Sequence, residues 1–495
     1  MRTLALLVFG GLLLAGPARA DIPASLKASC TLKTPATGYS YKFCDDGVPT
    51  SGGTTANVGG VNAVRVPAAY DASVGGGYQG LPPKAPDAAA TPGSDTAGDI
   101  ALDVDISVPT LPAPAGGYPV VVMMHGCCSG SKASWEATSF DAGGESWHYN
   151  NAWFASRGYV VINFTSRVFV NGQNQGSTGE TQLDSRRYEI NDFQQLAGLV
   201  ADDSFFNVNP KKIVVTGGSY GGGFSWMAFT DPIWKSPGGK DMKLAAAAPK
   251  YGWTDLVDSL VPTGRHSTSP SNLPAFDGST STSPLGIPKR SINAALYTSG
   301  KTGIPPGGSH TTFPSKIDEA EVCLNSTDPF ELNPLCTNTV NSLLPEFIND
   351  RSAYYQNGFF AKIASDPSYR IPVFNAGTFT DPLFPPVENL RMYNRLRSVV
   401  PNYPIQQYYG DYQHFVQNKA KEWGDLCGAD HHVCTFSDYG AGDLNSTPAG
   451  LVRTGATTRL NRFIDRYAQP PGNPNEPQPA FNVTASLQIC PENAG

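Results

Sequence analysis

One stretch constrains this chain more than any other: residues 211–229, KKIVVTGGSYGGGFSWMAF. Ile213, Val214 and Val215 are a short β-branched run that predicts a buried strand, the glycines from Gly217 to Gly221 predict a tight turn, and Phe224 to Phe229 return to apolar residues suited to a packed helix. Ser219 falls at the tip of the turn, inside Gly217-Gly218-Ser219-Tyr220-Gly221, a G-x-S-x-G pattern. A sharp strand-to-helix elbow lifts a serine hydroxyl clear of the sheet, and small neighbours let the backbone take that turn without side-chain clashes. The five residues alone also fit a plain glycine-rich turn. The strand before, the helix after and the partners downstream favour a nucleophile.

The flanking sequence repeats this alternation. Residues 100–108 alternate apolar and polar side chains as one half-buried strand, 119–124 are an apolar run ending in His125-Gly126-Cys127, 147–156 suit a helix, and 159–164 form the next strand. A helix over 186–202, with Ile190, Phe193, Leu196, Ala197 and Val200 at helical spacing, leads into the elbow strand. Strands at 244–248, 371–376 and 405–409 and helices at 388–396 and 460–467 continue the pattern. Such alternation predicts an α/β fold with a mostly parallel, doubly wound sheet covered on both faces. It divides the chain into a loop-rich N-terminal segment (21–97), a first part of the core (98–253), a cap insertion (254–365) and a second part of the core (366–469). Residues 470–495 read as a linker and the start of a C-terminal β domain cut short.

Arg2, the apolar run 4–15 and Ala18-Arg19-Ala20 have the charge, core and small-residue exit of a secretory signal over residues 1–20. That run is shorter than the ~20 residues a bilayer needs, so an exported chain without a membrane span is expected, in periplasm or medium. Export permits disulfides, and the nine cysteines include three local pairs, Cys30 with Cys44, Cys323 with Cys336, and Cys427 with Cys434. Adjacent Cys127 and Cys128 fit either a vicinal disulfide or two thiols, and Cys490 is left over. His431 and His432 beside Cys427 and Cys434 invite a metal, but a close cysteine pair in an exported chain reads first as a disulfide, so no metal is expected. A net charge of −7 without a basic patch argues against nucleic acid as a partner.

Acyl transfer by serine needs a base for the hydroxyl proton, a carboxylate to hold that base's tautomer, and donors for the oxyanion. Ser219, Asp381 and His414 occur in that order, and the latter two each follow a predicted strand, which brings all three to one sheet edge. Asp411 is too close to His414 in sequence to be the better acid. The oxyanion donors are expected to be the N–H of Tyr220, next after the nucleophile, and of Cys127 in the loop opened by His125, itself equally readable as structural.

Several of these motifs resemble the Xaa-Pro dipeptidyl-peptidase and cocaine-esterase (CocE/NonD) family. They are Gly217-Gly218-Ser219-Tyr220-Gly221-Gly222, Arg157-Gly158-Tyr159, Glu189 with Asp192, and Thr380-Asp381-Pro382-Leu383-Phe384-Pro385. The resemblance covers roughly residues 99–467 and implies an α/β-hydrolase core with a helical cap, a Ser219, Asp381, His414 triad, and hydrolysis of an ester or amide without a cofactor. The chain departs from the family in carrying His125-Gly126-Cys127-Cys128 where many members have an oxyanion tyrosine, and Asn163-Phe164-Thr165-Ser166-Arg167 in place of Asp-x-Arg-Gly. No cap residue can be assigned to a substrate's amino terminus, so a small-molecule acyl ester is the expected substrate, with a short peptide as the alternative. A catalytically silent binding protein on the same fold is the rival of another class.

Overall fold

The computed structural model describes residues 21–35, 38–45, 63–67, 99–127, 130–139, 146, 148–169, 176–264, 285–301, 313, 315–326, 328–330, 333–379, 381–410, 414 and 456–485. Residues 1–20, Cys128, Asp411, Cys427, His431, His432, Cys434 and Cys490 lie outside them.

The described strands are β1 (Thr31–Lys33), β2 (Tyr41–Cys44), β3 (Val64–Pro67), β4 (Asp99–Leu102), β5 (Val104–Pro109), β6 (Tyr118–Met124), β7 (Val160–Phe164), β8 (Val208–Gly218), β9 (Ile233–Lys235), β10 (Asp241–Lys250), β11 (Val373–Thr378), β12 (Ile405–Gly410) and β13 (Val483–Ala485). The helices are α1 (Ala24–Ala28), α2 (Asn151–Ser156), α3 (Glu189–Asp202), α4 (Tyr220–Phe229), α5 (Leu256–Leu260), α6 (Arg290–Lys301), α7 (Ser315–Leu324), α8 (Thr337–Asp350), α9 (Asn357–Ser365), α10 (Pro386–Val399) and α11 (Ala456–Ala468).

Eleven of the strands form one sheet in the order β1-β2-β5-β7-β6-β8-β10-β11-β12-β13, with β9 appended to β10. From β7 to β13 every neighbouring pair along this order is parallel, while β1, β2 and β5 are antiparallel additions at one edge. This is the α/β-hydrolase fold. Strand β6 shows why an unbroken apolar run was needed there: Val120, Val122 and Met124 pack with Phe193 of α3 and Phe224 of α4, whereas Val121 and Met123 pack with Phe154 of α2 and Phe463 of α11. A strand with period-two side chains and helices on both faces has no solvent side, so every position is apolar.

Three expectations differ from the structure. Residues 100–108 are two strands rather than one: β4 pairs with β3 in a separate ribbon, and β5 joins the main sheet. The break is at Asp103, whose N–H bonds the Ser177 hydroxyl and whose carboxylate accepts from Thr165, so a tertiary polar contact interrupts an unbroken alternation. The loop-rich segment 21–97 contributes β1 and β2 to the main sheet, strands of three and four residues that carry too few positions to display a period. The tail expected to open a sheet of its own instead places β13 alongside β12 at the far edge of this one.

Between β10 and β11 the chain leaves the sheet and builds α5 to α9. Val257, Cys323, Cys336 and Val340 share one small core within this excursion, and Phe313, Ile317 and Leu343 share another.

Candidate active site

Strand β8 ends at Gly218 and α4 begins at Tyr220, so Ser219 alone makes the turn, with φ 60° and ψ −117°. A non-glycine residue there is strained, and the surrounding contacts hold it. Its N–H donates to the Lys250 carbonyl at 3.1 Å, and its carbonyl accepts from Gly222 and Gly223 at 2.9 and 3.1 Å. The glycines are demanded by proximity: a Cβ on Gly217 or Gly221 would lie 2.5 or 2.3 Å from the Met124 carbonyl oxygen. Every residue of α4 is buried, so the elbow rests on a helix packed all round, while Ser219 itself stays partly exposed.

Asp381 follows β11 and is buried. Its Oδ1 accepts the backbone N–H groups of Leu383 and Phe384 at 2.8 and 2.9 Å, and its Oδ2 lies 2.6 Å from His414 Nδ1. A carboxylate fixed through one oxygen by two amides presents the other to Nδ1–H, which leaves Nε2 as the basic nitrogen of the ring. His414 is wedged edge-on between Tyr251, with centroids 5.0 Å apart, and Phe384, at 5.6 Å. Tyr251 in turn packs on the elbow, since a Cβ on Gly218 would meet its Oη at 2.3 Å. Phe384 lines the same cleft as Ser219. The imidazole is thus tied to the elbow through two aromatic side chains to which the sequence assigned no role, although Phe384 stands in the motif Thr380 to Pro385.

The loop after β6 runs against the elbow, where a Cβ on Gly126 would sit 3.6 Å from Ser219 Cβ. Cys127 lines the cleft with Ser219 and Tyr220 and is disulfide-bonded. His125 is fully buried and structural: Nε2 accepts the Ser166 N–H at 2.9 Å and Nδ1 lies 2.6 Å from the Gly126 carbonyl, to which it donates. Burial, opposed in part by the Gly126 carbonyl, pushes its pKa down to about 4. Helix geometry leaves the Tyr220 N–H without an acceptor inside α4, which suits it to an oxyanion.

The Tyr220 side chain anchors that amide from below. Its hydroxyl accepts the Asp184 N–H at 3.2 Å, lies 3.0 Å from Thr181 Oγ1 and donates to Glu189 at 3.4 Å. Burial raises Glu189 to about 7, against the pull of Arg167, and burial also raises Asp184 well above the usual carboxylate range. Arg167, in the loop that departs from the family pattern, makes a buried two-pronged ion pair with Asp192 of α3 at 2.6 and 2.7 Å.

No family model and no curated protein matches the sequence. Among solved structures, the acetyl xylan esterase from Paenibacillus sp. R4 is 14% identical, over 65% of this chain and 77% of that one, with a TM-score of 0.30. The Pyrococcus horikoshii acylaminoacyl peptidase is 12% identical over 75% and 39%, TM-score 0.34, and an aminopeptidase from a marine sediment Thaumarchaeota archaeon 13% over 78% and 55%, TM-score 0.41.

The two cysteine pairs that lie within the described residues, Cys30–Cys44 and Cys323–Cys336, are disulfides. No helix among the described residues is long and apolar enough to cross a membrane.

Proposed function

We propose that this chain is an exported serine hydrolase that cleaves a carboxylic ester through an acyl-serine intermediate. The observation that carries the reading is the Asp381–His414 hydrogen bond of 2.6 Å, made by a carboxylate whose other oxygen is already occupied by two amides, with the imidazole packed on Phe384, which lines the same cleft as the strained Ser219. In this mechanism His414 Nε2 takes the Ser219 proton as Oγ attacks the carbonyl carbon. The N–H groups of Tyr220 and Cys127 hold the oxyanion, and the proton then passes to the departing alcohol. Water repeats the sequence and releases the acid. Proton transfer of this kind contributes ~10²–10⁴-fold, and loss of one oxyanion donor costs about 2.7–4 kcal/mol. The motif resemblance to the CocE/NonD family favours the same chemistry, and the two disulfides favour export.

A second reading, hydrolysis of an aminoacyl amide, is favoured by Glu321 of α7, whose residue lines the cleft and offers a carboxylate to a substrate ammonium. The deciding experiment treats the purified chain and Ser219→Ala with a fluorophosphonate probe, p-nitrophenyl esters and an alanyl-prolyl amide. Ester turnover and labelling are expected, both abolished in the variant. Turnover that survives in Ser219→Ala removes the nucleophile from the mechanism, no labelling at all indicates a silent binding protein, and preference for the amide selects the peptidase reading.

A further inference from the structure

The cleft at Ser219, about 170 Å³, is bounded by Tyr220, Trp253 and Phe384 of the core and by Leu296, Ile317 and Phe347 of the cap. Among its described lining residues only Glu321 carries a charge, and that carboxylate already accepts the Asn325 amide at 2.7 Å. Among these described residues no lysine or arginine is placed to receive a phosphate or carboxylate. A second cavity of about 80 Å³ lies in the cap among α5, α7 and α8. It shares four walls with the first, Leu260, Ala320, Leu324 and Phe347, all apolar. Val261, Leu285, Phe330 and Val340 line it apart from the shared walls, and the Cys323–Cys336 disulfide frames it by joining α7 to the residue before α8.

Apolar hollows of this kind forfeit packing contacts and take apolar guests rather than water. The two halves of an ester are also distinguishable here. The acyl half stays on Ser219 with its oxygen toward Tyr220 and Cys127, both of which line the cleft, whereas the alcohol must leave past His414, which is not among the lining residues. Resting on the serine-hydrolase reading, we propose that cleft and second cavity form one tunnel for the chain of a medium- to long-chain aliphatic acyl ester. Ala320, Leu324 and Phe347 form the neck between its two chambers.

The test uses the full mature chain, p-nitrophenyl acetate, butyrate, octanoate and dodecanoate, and acetate esters of lengthening alcohols, with rates normalised to fluorophosphonate-labelled sites. Each methylene that enters the tunnel is expected to raise kcat/KM by about fourfold. Ala320→Phe narrows the neck and should lower the dodecanoate-to-acetate ratio about tenfold or more. Phe347→Ala widens it and should raise that ratio, which keeps the test open where Ala320→Phe fails to fold. Normal labelling with a profile that peaks at acetate, or that follows the alcohol instead of the acyl chain, overturns the tunnel while leaving the serine mechanism standing. A ratio unmoved by both neck variants overturns it too. Failure of labelling altogether removes the serine mechanism and the tunnel with it.

Discussion

At the scale of single residues, two histidines on similar loops do different things because their partners differ. His414 Nδ1 meets a carboxylate held by two amides; His125 has a backbone partner on each ring nitrogen, so it fixes the loop. Burial of His125 in neutral form has a measurable consequence. A histidine whose folded pKa is pushed down to about 4 is protonated first in the unfolded chain, near about 6.5, so its stabilising contribution is complete above that pH and lost as pH falls toward 4. The loss amounts to about 3 kcal/mol over that range. Glu189 works in the opposite sense, since burial lifts it to about 7 and its contribution fades as pH rises through that value. Comparing wild type with His125→Asn cancels the Glu189 effect. Wild type is expected to be the more stable by urea melts at pH 7.5, with the gap shrinking steadily toward pH 4.5; a constant gap would mean His125 does not titrate as its burial requires.

At the scale of elements, the elbow works because β8, α4 and the ends of β6 and β10 converge within backbone contact. The resemblance of Glu189 and Asp192 to a family motif acquires a physical meaning there. Asp192 pins the loop after β7 through Arg167, and Glu189 receives Tyr220, so helix α3 holds both a loop that lines the cleft and the residue after Ser219. Arg167→Met would strand the Asp192 carboxylate in the core, at a cost of about 3–5 kcal/mol, read as a lowered urea midpoint. Adding Asp192→Leu should recover most of that loss, because an apolar pair of similar volume replaces a buried ion pair at little cost. Recovery of nothing would show that neighbours other than this pair set the stability of the helix.

At the scale of the whole molecule, the sheet and the cap are stabilised by different means. The sheet has helices on both faces and a large continuous core, whereas the part of the cap from α6 to α8 reaches that core through a few residues such as Leu296 and Ile348 and otherwise packs in two small clusters with the Cys323–Cys336 crosslink. Local opening follows such differences. Removing a crosslink that closes a loop of this length costs about 3 kcal/mol. Cys323→Ser with Cys336→Ser is therefore expected to raise amide hydrogen exchange in α7 and α8 and to leave β6, β8 and β10 protected. Faster exchange throughout the sheet would mean that cap and core unfold as one unit.

Period and punctuation carried much of this in the sequence. The apolar run of β6, the helical spacing in α3 and the glycines around Ser219 are local signals, because burial on both faces and a tight turn each demand particular residues at particular positions. The strands that precede Cys127, Asp381 and His414 were legible in the same way. Contacts between distant segments left no such mark. The split at Asp103, the short strands β1, β2 and β13, the Tyr251 and Phe384 wedge on His414, and the neck between the two cap chambers each depend on residues brought together from far apart, and only the tertiary structure decides which side chains become neighbours.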